Sequence, residues 1–198
     1  MVRILGLSGS LRRGSYNSAL LRAAADVIGS GVIGSEATLE IGSIRGIPLY
    51  DGDVEAADGI PAVVQALKAR VQACDGLLLV TPEYNNGIPG VFKNAIDWLS
   101  RPAAEIPQVF GDRAVALVGA SPGGFGTILS QAAWLPILRT LGARHWSGGR
   151  LLVSRAAHVF DAGGNLVDEA VAGQLSSFVK GFAAFAGNPP VRSPAGYQ

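Results

Sequence analysis

The chain has 198 residues, 48% of them apolar and 16% charged, with 16 basic side chains against 15 acidic ones. That balance argues against a nucleic-acid partner, which calls for a basic face; the single cysteine, Cys74, excludes an intrachain disulfide, and two histidines leave a zinc cluster implausible. Glycine is the outlier at 27 residues, about twice its ordinary share, without collagen's strict repeat or a linker's polarity, which leaves tight turns and close backbone approach to a ligand.

Val2–Leu7 is a short apolar run ending at Ser8-Gly9-Ser10, which reads as a first strand. Asn17 precedes a helical pattern carrying Leu20, Leu21, Ala24, Val27 and Ile28 on one face. Thr38–Ile44 alternates weakly and reads as a second strand. Pro61 opens a helix through Val64, Leu67, Lys68 and Val71. Gly76–Thr81 and Ala114–Ala120 are near-continuous apolar runs, the mark of strands buried on both faces. Between them, Pro89 opens a helix with Val91, Phe92, Ala95, Ile96 and Leu99. A further helix spans Thr127–Leu141, where Pro136 predicts a kink or a restart. Arg150–Ser154 is the fifth strand, and Val167–Phe185 the terminal helix, with weak breakers at Gly173 and Gly181. Residues 1–186 form one domain, and 187–198 lack any pattern and read as a loose tail. No apolar run approaches a membrane span, and the start is too short for a signal peptide, so the expectation is a cytoplasmic protein with no membrane partner.

Strands alternating with helices predict a parallel sheet covered on both faces, a three-layer α/β/α fold. Ligands in such folds sit beyond the carboxyl ends of the strands, so three loops carry the chemistry. Ser8–Asn17 combines serine hydroxyls and Arg12 at a helix start, a set that suits a phosphate; it is neither a Walker loop nor a dinucleotide fingerprint. Thr81–Gly90 is stiffened by two prolines, Gly87 permits a left-handed turn, and Tyr84 with Asn85 and Asn86 suits a flat heterocycle. Ala120–Gly126 places three glycines in four positions, so its backbone can approach a ligand. Gly119-Ala120-Ser121-Pro122-Gly123 also fits a hydrolase nucleophile elbow, but no acid lies between Ser121 and His158, so the required order of triad residues is not met. Cys74 reads as a small core residue.

Leu7-Ser8-Gly9-Ser10-Leu11-Arg12 with Ser15 and Asn17, Pro82-Glu83-Tyr84-Asn85 with Gly87-Ile88-Pro89-Gly90, and Lys93-Asn94-Ala95 with Asp97-Trp98 together resemble the NADPH-dependent FMN reductase family. That group is flavodoxin-like and includes quinone, chromate and azoreductase-like enzymes. Ile47–Asp53 is similar to the family's loop after strand two and contains Tyr50. The resemblance implies a five-stranded sheet of order 2-1-3-4-5 and bound FMN. It assigns Ser8, Ser10, Arg12, Ser15 and Asn17 to the phosphate. Pro82, Glu83, Tyr84, Asn85, Asn86 and Gly87 line the ring, and Ser121, Gly123 and Gly124 approach it from the strand-four side. It further implies a homodimer or homotetramer. The helix start Ile128-Leu129-Ser130 is less basic than the family's.

The implied activity is hydride transfer from NADPH or NADH through FMN to quinones, flavins, azo dyes or metal oxyanions such as chromate. The cofactor carries the chemistry, so Tyr84 and Asn85 are positioning groups and no catalytic side chain or metal is called for. Tyr50 and Arg101 are candidates for substrate contact, Arg101 equally for a cation at a helix C-terminus. The alternative is a flavodoxin-type electron carrier without its own nucleotide site. Carriers of that kind are strongly acidic, unlike this chain.

Overall fold

The computed structural model describes residues 1–30 and 37–188. In chain order the strands are β1 (Val2–Ser8), β2 (Ala37–Gly42), β3 (Gly76–Val80), β4 (Ala114–Ala120), β5 (Arg144–His145) and β6 (Leu151–Val153). The helices are α1 (Tyr16–Gly29), α2 (Gly52–Asp58), α3 (Ala62–Ala73), α4 (Gly90–Leu99), α5 (Ile106–Val109), α6 (Ile128–Thr140), α7 (Ala156–Val159) and α8 (Glu169–Gly187). A parallel sheet runs β2-β1-β3-β4-β5, with β6 also paired to β4. This is the flavodoxin-like strand order.

Alternate residues of the central strands feed two cores. Ile4, Leu78, Val80, Ala116 and Val118 pack under α1 and α8, while Leu5, Leu7, Leu77, Leu79, Val115 and Leu117 pack under α3, α4 and α6. Every residue of β3 and β4 is buried, which is why those strands read as unbroken apolar runs. Edge strand β2 has only Gly42 buried.

Several elements differ from the expectations. The fifth sheet position is filled by two short strands rather than by Arg150–Ser154 alone: β5 pairs with Ala114 and Val115, and β6 with Val118–Ala120. The chain leaves the edge between them because Trp146 turns into the core, edge-on to Phe178 at 4.9 Å. Gly148, Gly149 and Gly181 make room for the indole; a Cβ at Gly148 would lie 2.5 Å from its Nε1. Helix α6 runs through Pro136 as one element, anchored on either side by buried Trp134 and Leu138. The Asp168 carboxylate caps α8 by accepting from Val171 N at 2.9 Å, so the helix starts at Glu169 rather than Val167 and passes through Gly173 and Gly181 to Gly187. β2 stops at Gly42, before Ile44. Beyond Asn188 the predicted tail lies outside the described residues. Among the described residues, no helix is long and apolar enough to cross a membrane.

Candidate active site

The loops after β1, β3 and β4 meet at the carboxyl edge of the sheet, and buried contacts lock them together. Gly9 donates its N–H to Val80 O at 2.9 Å. It packs so tightly that an added Cβ would fall 2.2 Å from Phe92 and 2.9 Å from Pro82. The first loop is thereby seated on the second and on α4. The first loop reaches the third through Asn17, whose Nδ2 donates to Ala120 O at 2.8 Å and whose Oδ1 accepts from Ala120 N at 2.9 Å. The second reaches the third through Glu83, whose carboxylate accepts from Leu129 N and Ser130 N at 2.8 and 3.0 Å. That carboxylate caps the start of α6, where exposed N–H groups and the helix dipole favour negative charge.

In the first loop, Ser15 caps α1, its Oγ accepting from Asn17 N and Ser18 N. Asn17 is 4% exposed and spends its amide on Ala120, so its place in the site is structural support rather than the open surface of the loop. Ser8 Oγ pairs with Ser18 Oγ, and Ser10 Oγ lies 3.5 Å from the Tyr84 hydroxyl. Arg12 is exposed and lies over the Tyr16 ring, 5.7 Å from its centre. A cavity of about 290 Å³ opens here, lined by Ser8, Ser10 and Arg12 together with Arg13, Arg22 and Arg45. The sequence reading did not single out those three arginines. Arg13 directly follows the loop motif, but Arg45 follows β2 and is brought to the site by parallel pairing of β2 with β1 and by its bond from Nη2 to Leu11 O at 2.7 Å.

The second loop is a two-residue turn in which Tyr84 and Gly87 exchange backbone hydrogen bonds at 3.1 and 3.0 Å. The left-handed residues are Asn85 and Asn86, with φ of 50° and 60°, and not Gly87. A turn of this hand requires positive φ at both central positions, which asparagine tolerates. Pro82 is buried, while Tyr84, Asn85 and Asn86 face outward.

The third loop is tied down from behind. Ser121 N donates to Val153 O, and the carbonyls of Ser121 and Gly123 accept from Ala156 N and Arg155 N. A Cβ at Gly123 or Gly124 would meet nothing, and neither residue has a positive φ. Among the described residues, neither donates its N–H to a partner. The two glycines therefore have no reason inside the chain, and their amides remain as free donors. Phe125 beside them is 81% exposed.

Tyr50 and Arg101 come together elsewhere, over the latter half of α4. Asn94 and Trp98 clamp the 47–50 segment there, with Asn94 Oδ1 accepting from Tyr50 N and Trp98 Nε1 donating to Pro48 O. The Glu55 carboxylate accepts from the Tyr50 hydroxyl at 2.9 Å and from Arg101 Nε at 2.8 Å. Arg101 holds the Glu55 carboxyl below its ordinary range, and Glu55 in turn raises the Tyr50 hydroxyl. Arg101 thus already carries a carboxylate partner. Cys74 is buried and its thiol is pushed up by desolvation, which suits a core residue. Among the described residues, no group of three acidic, histidine or cysteine side chains is placed to hold a metal.

An FMN-sized ligand fits this donor set: hydroxyls and arginines for a phosphate at one end, an exposed aromatic turn and two free glycine amides for a ring at the other. Comparison with known proteins points the same way. The chain is 42% identical over 168 residues to an NAD(P)H-dependent FMN reductase of Pseudomonas aeruginosa, covering 85% of this chain and 86% of that one. It is 34% identical to a 2-hydroxy-1,4-benzoquinone reductase of a Burkholderia species, covering 93% and 96%. Among solved structures it superposes on FerB, a flavoenzyme NAD(P)H:(acceptor) oxidoreductase of Paracoccus denitrificans, with a TM-score of 0.81 and 31% identity over 94% of this chain and 98% of that one. A profile of the NADPH-dependent FMN reductase family matches residues 2–158: the chain belongs to that family and is an oxidoreductase that works with FMN and NAD(P)H.

Proposed function

We propose that this chain passes a hydride from NAD(P)H through FMN held across the three loops to quinones, and through the same open site to flavins, azo dyes or metal oxyanions. The observation that carries this reading is the pair of unpartnered amides at Gly123 and Gly124 in the third loop, together with the exposed Tyr84 on the turn of the second. Ser8, Ser10, Arg12 and Ser15 bind the phosphate. Tyr84, Asn85, Asn86 and Gly87 form the platform for the ring, with Pro82 beneath and Ser121 alongside. Glu83 sets the height of that platform by its bonds to α6. Bound FMN supplies a two-electron relay between the nicotinamide and the acceptor. The amides of Gly123 and Gly124 are fixed donors that stabilise negative charge on the reduced ring without reorganising.

Quinones are the acceptor class supported by the names of the relatives. The reading extends to a homodimer or homotetramer, since Leu49 and Val54 leave large apolar surface exposed beside Tyr50. Spectroscopy tests the core of it. The purified protein, loaded with FMN, is yellow and is bleached by NADPH or NADH without oxygen, and a benzoquinone restores the colour. A protein that cannot take up FMN, or whose flavin neither nucleotide bleaches, overturns the reading; the second result is what a flavodoxin-type carrier gives.

A further inference from the structure

The second loop is held from below by a hydroxyl outside the set assigned to the flavin. Thr81 directly follows β3 and is fully buried, as are Ser130 and Trp134 on α6. Its Oγ1 lies 2.8 Å from Ser130 Oγ, 3.1 Å from Trp134 Nε1 and 3.0 Å from Pro82 O. The directions of these bonds follow from what each partner can do. An indole N–H only donates and a carbonyl oxygen only accepts, while a hydroxyl has one proton to give. Thr81 therefore accepts from Trp134 and spends its own proton on Pro82 O, which leaves Ser130 as the donor to Thr81. Two donors from α6 converge on one hydroxyl, and a hydroxyl polarised in this way is a stronger donor to the carbonyl beyond it.

The bond to Pro82 O fixes a peptide plane. The Pro82–Glu83 peptide is trans, so its N–H points opposite to its C=O. With Pro82 O turned to the buried Thr81 hydroxyl, the Glu83 N–H is directed away from it. Among the described residues, that N–H donates to no partner. The plane has little freedom to turn. The pyrrolidine ring of Pro82 fixes φ and packs over Gly9, where an added Cβ would fall 2.9 Å from it. On the other side, the Glu83 carboxylate is bonded to Leu129 N and Ser130 N. The rotation left over is about ψ of Pro82, and the Thr81 hydroxyl restrains it.

We propose that Thr81, backed by Ser130 and Trp134, is a positioning residue for the redox step: by holding the Pro82 carbonyl inward, it keeps the Glu83 N–H as a fixed donor to the flavin ring. The proposal rests on the reading of the FMN site above. A fixed donor at the ring favours the form with more negative charge, which is the reduced one, and does so without reorganising. The bound flavin is thereby easier to reduce. Thr81, Ser130 and Trp134 are buried and act only through the Pro82–Glu83 peptide.

The test compares wild type with three variants. Thr81→Val keeps the shape and removes the hydroxyl, Thr81→Ser restores it, and Ser130→Ala removes one of its two donors. Each protein is loaded with FMN and reduced by dithionite against a reference dye, so that the midpoint potential is read without a nucleotide. The ratio of affinities for reduced and oxidised FMN falls about tenfold in Thr81→Val, a potential lower by about 30 mV for a two-electron couple. It falls about threefold in Ser130→Ala and changes less than twofold in Thr81→Ser. Amide exchange followed by NMR reads the donor itself. The Glu83 N–H exchanges fast in flavin-free protein and at least tenfold more slowly with FMN bound, and Thr81→Val loses most of that protection. A Thr81→Val protein that binds both forms of the flavin more weakly by the same factor overturns the proposal, since the hydroxyl then only supports the fold. So does a Thr81→Ser protein as low in potential as Thr81→Val, or a Glu83 exchange rate that FMN does not slow. If Thr81→Val does not fold, Ser130→Ala decides, and a potential equal to that of wild type overturns the proposal. Wild-type flavin that dithionite reduces but neither NADPH nor NADH bleaches overturns the reductase reading alone, because the potentials still report on Thr81. A wild type that takes up no FMN overturns both.

Discussion

Asn17 and Ala120 lie 103 positions apart, yet the Asn17 side chain completes both backbone groups of Ala120, donating at 2.8 Å and accepting at 2.9 Å. The side chain acts as a short stretch of strand, closing the end of β4 where the sheet runs out of partners. Asn17→Ala leaves a buried N–H and a buried carbonyl unpaired, and should cost about 2–4 kcal/mol of stability. Asn17→Asp retains the acceptor but sets a carboxylate against the carbonyl, so it does not rescue. Urea unfolding of the flavin-free protein reads both. A loss below about 0.5 kcal/mol in the alanine variant, the size of an ordinary surface change, would show the clamp to be dispensable.

Glu83 makes the equivalent link from the second loop to α6. Removing its carboxylate in Glu83→Ala uncaps two N–H groups and should lower stability by about 1–2 kcal/mol, the usual cost of a lost N-cap. Glu83→Gln keeps an acceptor without the charge and should lose about half as much. Because Tyr84 follows Glu83 directly, the alanine variant should also weaken FMN binding severalfold, measured by flavin fluorescence quenching. Loss of stability with unchanged flavin affinity would uncouple the cap from the platform.

The glycines of the β4 edge divide into two kinds. A Cβ on Gly119 would stand 2.2 Å from both Thr127 Oγ1 and Thr81 O, and the carbonyl belongs to a buried strand end that cannot yield. Gly119→Ala should cost about 3 kcal/mol or more and leave little folded protein. Gly123→Ala and Gly124→Ala meet open space, so their melting temperatures should stay within about 2 °C of wild type. Their FMN affinity should nonetheless fall about tenfold, since the added methyl occupies the ligand's side. Unchanged affinity in both would remove the third loop from the flavin site.

Much of this was legible in the sequence because the signals were local. The buried runs of β3 and β4, the helix after Pro89 and the glycine-rich loop each announce themselves within about ten residues. What stayed hidden depends on contacts between distant segments. The split of the fifth strand follows from Trp146 needing the space at Gly181, a residue that looked like a helix breaker. Asn17 stands in the loop motif before a helical pattern, and nothing local to it points to its partner Ala120 on β4. The left-handed turn falls on Asn85 and Asn86, although glycine at position 87 is the stronger local marker of such a turn and asparagine the weaker one. Arg45 carries no motif at all and acquires its place from the β1–β2 pairing.

Arg12 is the side chain on which the phosphate assignment turns. It is exposed, and its only aromatic neighbour among the described residues is Tyr16, so Arg12→Ala should leave the stability of flavin-free protein within about 0.5 kcal/mol. A charge-assisted bond to phosphate is worth about 1.5–3 kcal/mol, so the Kd for FMN should rise about 10- to 100-fold. Arg12→Lys keeps the charge without the fork and should fall between. Riboflavin, which lacks the phosphate, should bind wild type and Arg12→Ala alike, and a matching loss for riboflavin would place Arg12 against the ring instead.

His145 gives the fold a pH dependence separate from the flavin. Burial in β5 lowers its affinity for a proton below the ordinary value near 6.5. The unfolded chain therefore binds more protons than the folded one between that ordinary value and the lowered one, and stability falls as pH drops through about 6.5. The carboxyls held low by their partners, Glu55 and Asp161, lose stability only further down, as pH enters the usual carboxylate range near 4. The two windows are distinct. Urea midpoints taken from pH 7.5 to 5.5 should decline in wild type and stay flatter in His145→Gln, whose backbone pairing with Val115 does not depend on the side chain. Parallel declines in the two proteins would assign the effect to another group.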